Sequence, residues 1–296
     1  MMRLSYVTIA LVGFVCAQRS GAQATPSPDV FLVGIRSQGT SLVLTGVVKN
    51  ITARPGYDNQ PAWSADGRSV YYTSTRDDAQ ADIYRVDIAS GRDARITSTA
   101  PESEYSATLT PDGGAISVIR VERDSSQRIW RFPISGAAPT VLLPALKPAG
   151  YHAWANDHTL AVFVLGQPNA LVLADVNTQR VDTVARHVGR SLHRIPGTDH
   201  ISFPQLADSA AAVVIELDPA TRQQSRRAVL PPHVEDYAWT PAGRLVAGEG
   251  SRLLQWNGTS WALVGDLATA GITQLTRLAV SPDQAWIAVV GVPAAR

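Results

Sequence analysis

The sequence predicts an all-β chain folded as a six-bladed β-propeller of four-stranded blades, and three observations predict it. A short phrase returns six times, at intervals of 46, 45, 40, 45 and 41 residues. Apolar residues alternate along the chain after each copy. Strand-like segments near the N-terminus supply what the last copy lacks.

The phrase is clearest as Ala62-Trp63-Ser64-Ala65-Asp66-Gly67 and Leu109-Thr110-Pro111-Asp112-Gly113. Its anchors are Trp63, Leu109, Trp154, Arg194, Trp239 and Val280. A period of about 40–45 residues belongs to four-stranded propeller blades. Asp-Gly pairs after the first two anchors are hairpin chemistry, because such turns need positive φ at little steric cost.

Seven residues beyond the anchors stand Val70, Ile116, Ala161, Ile201, Val246 and Ile287; two further on come Tyr72, Val118, Phe163, Phe203, Gly248 and Val289. Apolar residues spaced by two share one strand face. Third strands are predicted over residues 82–86, 128–132, 171–173, 213–217 and 252–256, each followed by a turn and a fourth strand. No segment sustains a helical period.

The sixth unit stops after two strands. Residues 29–33 resemble a third strand and residues 48–52 a fourth, so residues 29–52 are predicted to be the outer strands of the closing blade. Such closure leaves no open sheet edge at the seam and fastens the ring without a covalent bond. Residues 34–47 form a long connection, predicted to extend this hairpin. Trp63, Trp154 and Trp239 are expected to pack between blades, and Trp256 and Trp261 to brace a hairpin turn.

Residues 1–24 read as a signal peptide. Arg3 supplies a positive start, residues 4–17 are apolar, and Ala22-Gln23-Ala24 fits cleavage before Thr25. The apolar run is short for a membrane span, so no integral span is expected after cleavage. Residues 25–296 then form the propeller. The one cysteine, Cys16, lies in the leader, so the mature chain has no disulfide or thiol chemistry. It carries 24 basic against 25 acidic residues once Arg3 and Arg19 are gone. That balance gives no electrostatic reason to expect nucleic acid as a partner.

The string Gln60-Pro61-Ala62-Trp63-Ser64-Ala65-Asp66-Gly67-Arg68, followed by Tyr72-Thr73-Ser74 and Asp82-Ile83-Tyr84-Arg85-Val86-Asp87, resembles the WD-repeat-like motif of the TolB propeller family. The same motif occurs in propeller domains of prolyl-oligopeptidase-type peptidases. The resemblance implies six blades and a periplasmic setting. TolB has an α/β domain before its propeller, whereas here only about thirty residues separate the expected cleavage site from the first blade. No Gly-x-Ser-x-Gly occurs; the nearest string, Gly189-Arg190-Ser191-Leu192-His193, ends in histidine.

Candidate functional residues lie just before the anchors, where loops entering the innermost strands are expected to meet around a central channel. They are Asp58, Asn59 and Gln60; Glu104 and Tyr105; Tyr151 and His152; Arg190 and His193; Glu235 and Asp236; and Arg277. Convergent polar groups in a concavity suit a peptide terminus, a sugar or a small ion. The equivalents of His193 are all small (Ala62, Thr108, Ala153, Ala238 and Ala279), so its imidazole either fills a gap or faces a ligand. None of the histidines and carboxylates has the local spacing of a metal site, and no metal or other cofactor is expected.

The expected function is that of a secreted or periplasmic, monomeric, non-enzymatic module. It would bind an envelope protein, a peptide or a polysaccharide at the channel mouth. The alternative is a hydrolase or lyase acting on sugars or peptides, with general acid and base groups drawn from the same mouth.

Overall fold

A computed structural model describes residues 27–76, 79–206 and 211–293. Its strands form six four-stranded antiparallel sheets, and one short 3₁₀ turn at Ala268–Ala270 is its helical element. The leader lies outside the described residues. Among the described residues no helix is long and apolar enough to cross a membrane.

All six anchors are the last residues of innermost strands. Those strands are Asp58–Trp63, Ser103–Leu109, Ala149–Trp154, His193–Arg194, Tyr237–Trp239 and Ile272–Val280. The phrase that follows folds into a self-bonded turn. Ser64 Oγ donates to Asp66 Oδ1 (2.6 Å) and accepts from the Ser69 amide (3.0 Å), while Asp66 Oδ1 accepts from the Arg68 amide (3.0 Å). Thr110 with Asp112 and Ser281 with Asp283 repeat that pattern. A hydroxyl and a carboxylate two residues apart thus replace the backbone bonds that a tight turn leaves open.

The closing blade runs, from outside to inside, Ser41–Asn50, Asp29–Gln38, Trp286–Pro293 and Ile272–Val280. Phe31 pairs with Val289 and Val33 with Ile287. Val30, Leu32 and Val33 are fully buried there. The long connection is an extended hairpin that leans on the fifth blade. Gln255 Oε1 accepts from the Leu42 amide (2.7 Å), and Gln255 Nε2 donates to the Thr40 carbonyl (2.9 Å).

The core is divided among the blade junctions. Trp63 packs with Val30, Leu32 and Ala288 of the closing blade, and Trp154 with Ile119 and Ile129 of the second. Trp239 sits against Val214 of the fourth. Trp256 and Trp261 pair across their hairpin with ring centroids 5.5 Å apart.

Candidate functional site at the channel mouth

Because each anchor ends its strand, the residues before it lie mostly along the channel wall and not in entering loops. Counting back from the anchors gives layers. Three residues before them stand Gln60, Ser106, Tyr151, Ser191, Asp236 and Arg277, and all six line one small cavity of about 120 Å³. Two residues before stand Pro61, Ala107, His152, Leu192, Tyr237 and Leu278, which line it as well. One residue before, Ala62, Thr108, Ala153, His193, Ala238 and Ala279 face a second cavity of about 440 Å³ toward the anchors.

Consecutive residues of a regular strand point to opposite faces, so neighbouring layers require a device that turns the chain. It is a bulge. The pairing slips between Asn59 and Ala62, between Tyr105 and Thr108, and between Thr276 and Leu278. Within these slips Gln60, Ser106 and Arg277 take positive φ values of 57°, 55° and 42°. Three non-glycine residues in the left-handed region, at equivalent places in three adjoining blades, mark a backbone held against its preference. Bulges with this effect re-aim side chains.

The polar groups of the mouth are bonded to one another. Arg277 Nη1 donates to Asp236 Oδ1 (2.9 Å) and its Nη2 to the Tyr151 hydroxyl (2.8 Å). Arg190 Nη2 donates to the other Asp236 oxygen (3.2 Å). One buried carboxylate therefore serves two guanidiniums from different blades. Gln60 Oε1 accepts from the Ser106 amide (2.9 Å) and from Thr73 Oγ1 (2.8 Å), which joins the first blade to the second. Tyr57 feels Arg277, Arg190 and the phenols of Tyr151 and Tyr105, and burial pushes its own phenol up to about 12.

Two imidazoles stand below this layer. His152 Nε2 lies 2.7 Å from Ser117 Oγ, which also accepts from Trp154 Nε1 (2.9 Å). Burial lowers the His152 imidazole to about 4. His193 Nε2 lies 2.9 Å from Ser191 Oγ, and its ring packs against Tyr237 at 4.9 Å between centroids. Burial lowers it to about 4 as well, against the opposing pull of Asp236. Both rings are neutral at neutral pH. His193 shares the wall with other groups, filling space and facing the cavity at once.

The structure thus brings together Gln60, Tyr151, His152, Arg190, His193, Asp236 and Arg277. It places Asp58 and Glu104 elsewhere. Each sits near the start of its innermost strand, fully buried, where Asp58 pairs with Arg54 (2.9 Å) and Glu104 with Arg120 (3.4 Å) and Thr99. Burial raises both carboxyls. Asn59 is spent on the Gln60 amide (2.7 Å), and Tyr105 packs toward the core between the second and third blades. Glu235 lies near Arg190 but is not on the cavity wall. Sequence reasoning misses Ser106 and Ser191. The fixed offset of three residues before each anchor is the signal that finds them.

Among the described residues no group of three or more His, Cys, Asp or Glu side chains is placed to hold a metal ion. What the arrangement supplies is a neutral base beside a hydroxyl at Ser191 and His193, and charged donors at Arg190 and Arg277.

No protein-family model and no curated protein matches the chain. Solved structures do. A putative TolB from Agrobacterium tumefaciens superposes with a TM-score of 0.68 at 14% identity, over 90% of this chain and 98% of that one. TolB from Acinetobacter baumannii gives 0.58 at 15% identity, over 90% of this chain and 65% of its own. Oligogalacturonate lyase from Vibrio parahaemolyticus gives 0.56 at 11% identity, over 91% and 99%. At such identities the shared property is the fold, a TolB-like β-propeller.

Proposed function

We propose that this chain is a secreted or periplasmic, non-enzymatic binding module that holds a protein, a peptide or an envelope polymer at the channel mouth. One observation carries the reading. Six blades each contribute the side chain three residues before the anchor to one polar cavity, and three do so through strained backbone. Strain of this kind costs about 1–3 kcal/mol per residue and persists where the surroundings enforce it, commonly at ligand sites. The leader in residues 1–24 supports export, and the TolB-like fold fits an envelope role for a monomer without cofactor.

The test is capture from envelope fractions by purified protein. Partners retained by the wild type are expected to be lost from Arg277→Ala and Tyr151→Ala, and kept by a control variant at exposed Leu263. Equal capture by all four proteins would move the site away from the mouth.

One observation favours the second reading, a hydrolase. Ser191 Oγ and His193 Nε2 are within hydrogen-bond reach on a cavity wall, and the imidazole is held neutral, as a general base must be. Turnover of peptide or glycoside substrates that vanishes in both Ser191→Ala and His193→Ala would establish it.

A further inference from the structure

The hairpin of the fifth blade turns between Arg252–Trp256 and Trp261–Asp266 through the exposed pair Asn257-Gly258. It is the one Asn-Gly pair of the chain; the other asparagines precede Ile51, Gln60, Asp157, Ala170 and Thr178. The pairing matters because the amide nitrogen after an asparagine can attack the carbonyl carbon of its side chain. A Cβ on the following residue crowds that approach, and glycine has none. Gly258 has a φ of 106°, and no atom stands within 4 Å of where a Cβ would be. Its N–H makes no hydrogen bond among the described residues, so nothing in the fold holds the proton that must leave.

The side chain is set for the same attack. Asn257 Oδ1 accepts from the amides of Thr259 (2.9 Å) and Ser260 (2.9 Å) and from the Thr259 hydroxyl (3.0 Å). These donors draw electron density from Cγ, and they face the oxygen on which negative charge gathers once the nitrogen has added. Donors placed in advance at such an oxygen stabilise the tetrahedral intermediate. Asn257 Nδ2, the nitrogen that must depart, donates to Ser260 Oγ (3.1 Å). Once tetrahedral, that nitrogen has a lone pair able to take the Ser260 proton.

We propose that Asn257 is a self-modification site, converted to aspartate and isoaspartate through a cyclic imide closed by Gly258, with the turn's own donors assisting. Gly258 N gives its proton to hydroxide and bonds to Asn257 Cγ. The Cγ–Nδ2 bond then breaks, and the nitrogen leaves as ammonia with a proton from the Ser260 hydroxyl, which solvent restores. Water next opens the imide. Addition at Cγ returns the ordinary main chain with an aspartate; addition at the backbone carbonyl of residue 257 leaves the chain running through Cγ, as isoaspartate. The sum is water in and ammonia out, with nothing oxidised or reduced.

Either product alters its surroundings. Aspartate puts a negative charge on the wall of a cleft of about 220 Å³ that Arg244 also lines. Isoaspartate adds a main-chain carbon between Trp256 and Trp261, whose rings pair at 5.5 Å.

The experiment incubates the folded protein in mildly alkaline buffer and follows the tryptic peptide of residues 253–277 by mass spectrometry. That peptide is expected to gain the mass of NH replaced by O and to separate into two forms. One of them should accept methyl from an isoaspartate-specific methyltransferase, while peptides holding the other asparagines stay unchanged. Gly258→Ala should nearly abolish the conversion. Thr259→Val keeps the side chain's shape and should slow it by about tenfold, less than the loss of a full oxyanion-hole donor because both amides remain. A folded wild type that stays unchanged while the guanidinium-unfolded chain converts at Asn257 overturns the proposal. So does earlier conversion at another asparagine. Equal rates in wild type and Thr259→Val overturn the part assigned to the turn.

Discussion

Trp63 donates its indole N–H to the backbone carbonyl of Ala279, 2.9 Å away and 216 residues later in the chain. The bond crosses the seam where the first blade meets the last. Its counterparts elsewhere in the ring end on side chains, Trp154 on Ser117 and Trp239 on Ser202 (2.8 Å). At the seam the corresponding residue of the second strand is Ala288, opposite Ala279, and offers no hydroxyl. The seam therefore relies on a main-chain acceptor.

Replacing Trp63 by Phe keeps most of the packing against Val30 and Leu32 but removes the donor. The Ala279 carbonyl would be left without it, and a loss of about 1–3 kcal/mol is expected. Urea unfolding with an unchanged m-value is the check. A change in m would mean that the seam had opened in the native state.

Leu32 is fully buried in the closing blade and pairs with Ala288. Leu32→Ala should cost about 2–5 kcal/mol, as deletions of buried leucine side chains do. The same substitution at exposed Leu263 should cost little. Thermal unfolding of the two variants side by side distinguishes a closing strand that holds the ring from one that merely decorates it.

His152 gives a pH dependence whose sign is fixed. Its imidazole titrates at about 4 in the fold against the ordinary 6.5, so the unfolded chain binds more protons between those values. Stability from this residue is complete above 6.5 and is lost as pH falls toward 4. Between pH 7.5 and pH 5 the wild type should lose about 2 kcal/mol that a His152→Gln variant does not. The buried carboxyls of Asp58 and Glu104 are raised and carry the opposite sign, but they are common to both proteins and cancel. Parallel pH profiles of the two proteins would mean that His152 is solvated.

Ser106 holds φ at 55° although its hydroxyl has no partner among the described residues. A left-handed residue with a Cβ costs about 1–2 kcal/mol, and glycine avoids this at an entropic cost of about 0.5–1 kcal/mol. Ser106→Gly is therefore expected to fold at least as stably as the wild type, as read by thermal unfolding. Stability that drops by several kcal/mol would show that the serine side chain supports the fold.

Much of the fold is legible in the sequence because its causes are local and repeated. The turn at residues 64–69 is specified by Ser64 and Asp66 alone, and the same two chemistries at Thr110 with Asp112 and Ser281 with Asp283 produce the same turn. The third strands at Val213–Leu217 and Arg252–Trp256 coincide with their predicted spans. The extended hairpin expected over residues 34–47 forms between Asp29–Gln38 and Ser41–Asn50, the second of which stops short of residue 52, and its tip rests on Gln255 of another blade. No local pattern encodes that contact.

The site was only half legible, for a physical reason. Asp58, Gln60, Glu104 and Tyr151 look alike in sequence, as polar or aromatic residues a few places before an anchor. Which of them faces the axis depends on where the anchor sits in its strand and on bulges that shift the facing by one residue, and both are settled by pairing with the neighbouring strand. By itself the sequence determined the number of blades, the turns between their strands and the termini as partners. Tertiary structure decided that Arg190, Arg277, Asp236 and Tyr151 share one mouth, because a ring of separate sheets brings together at its axis residues that are dozens of positions apart along the chain.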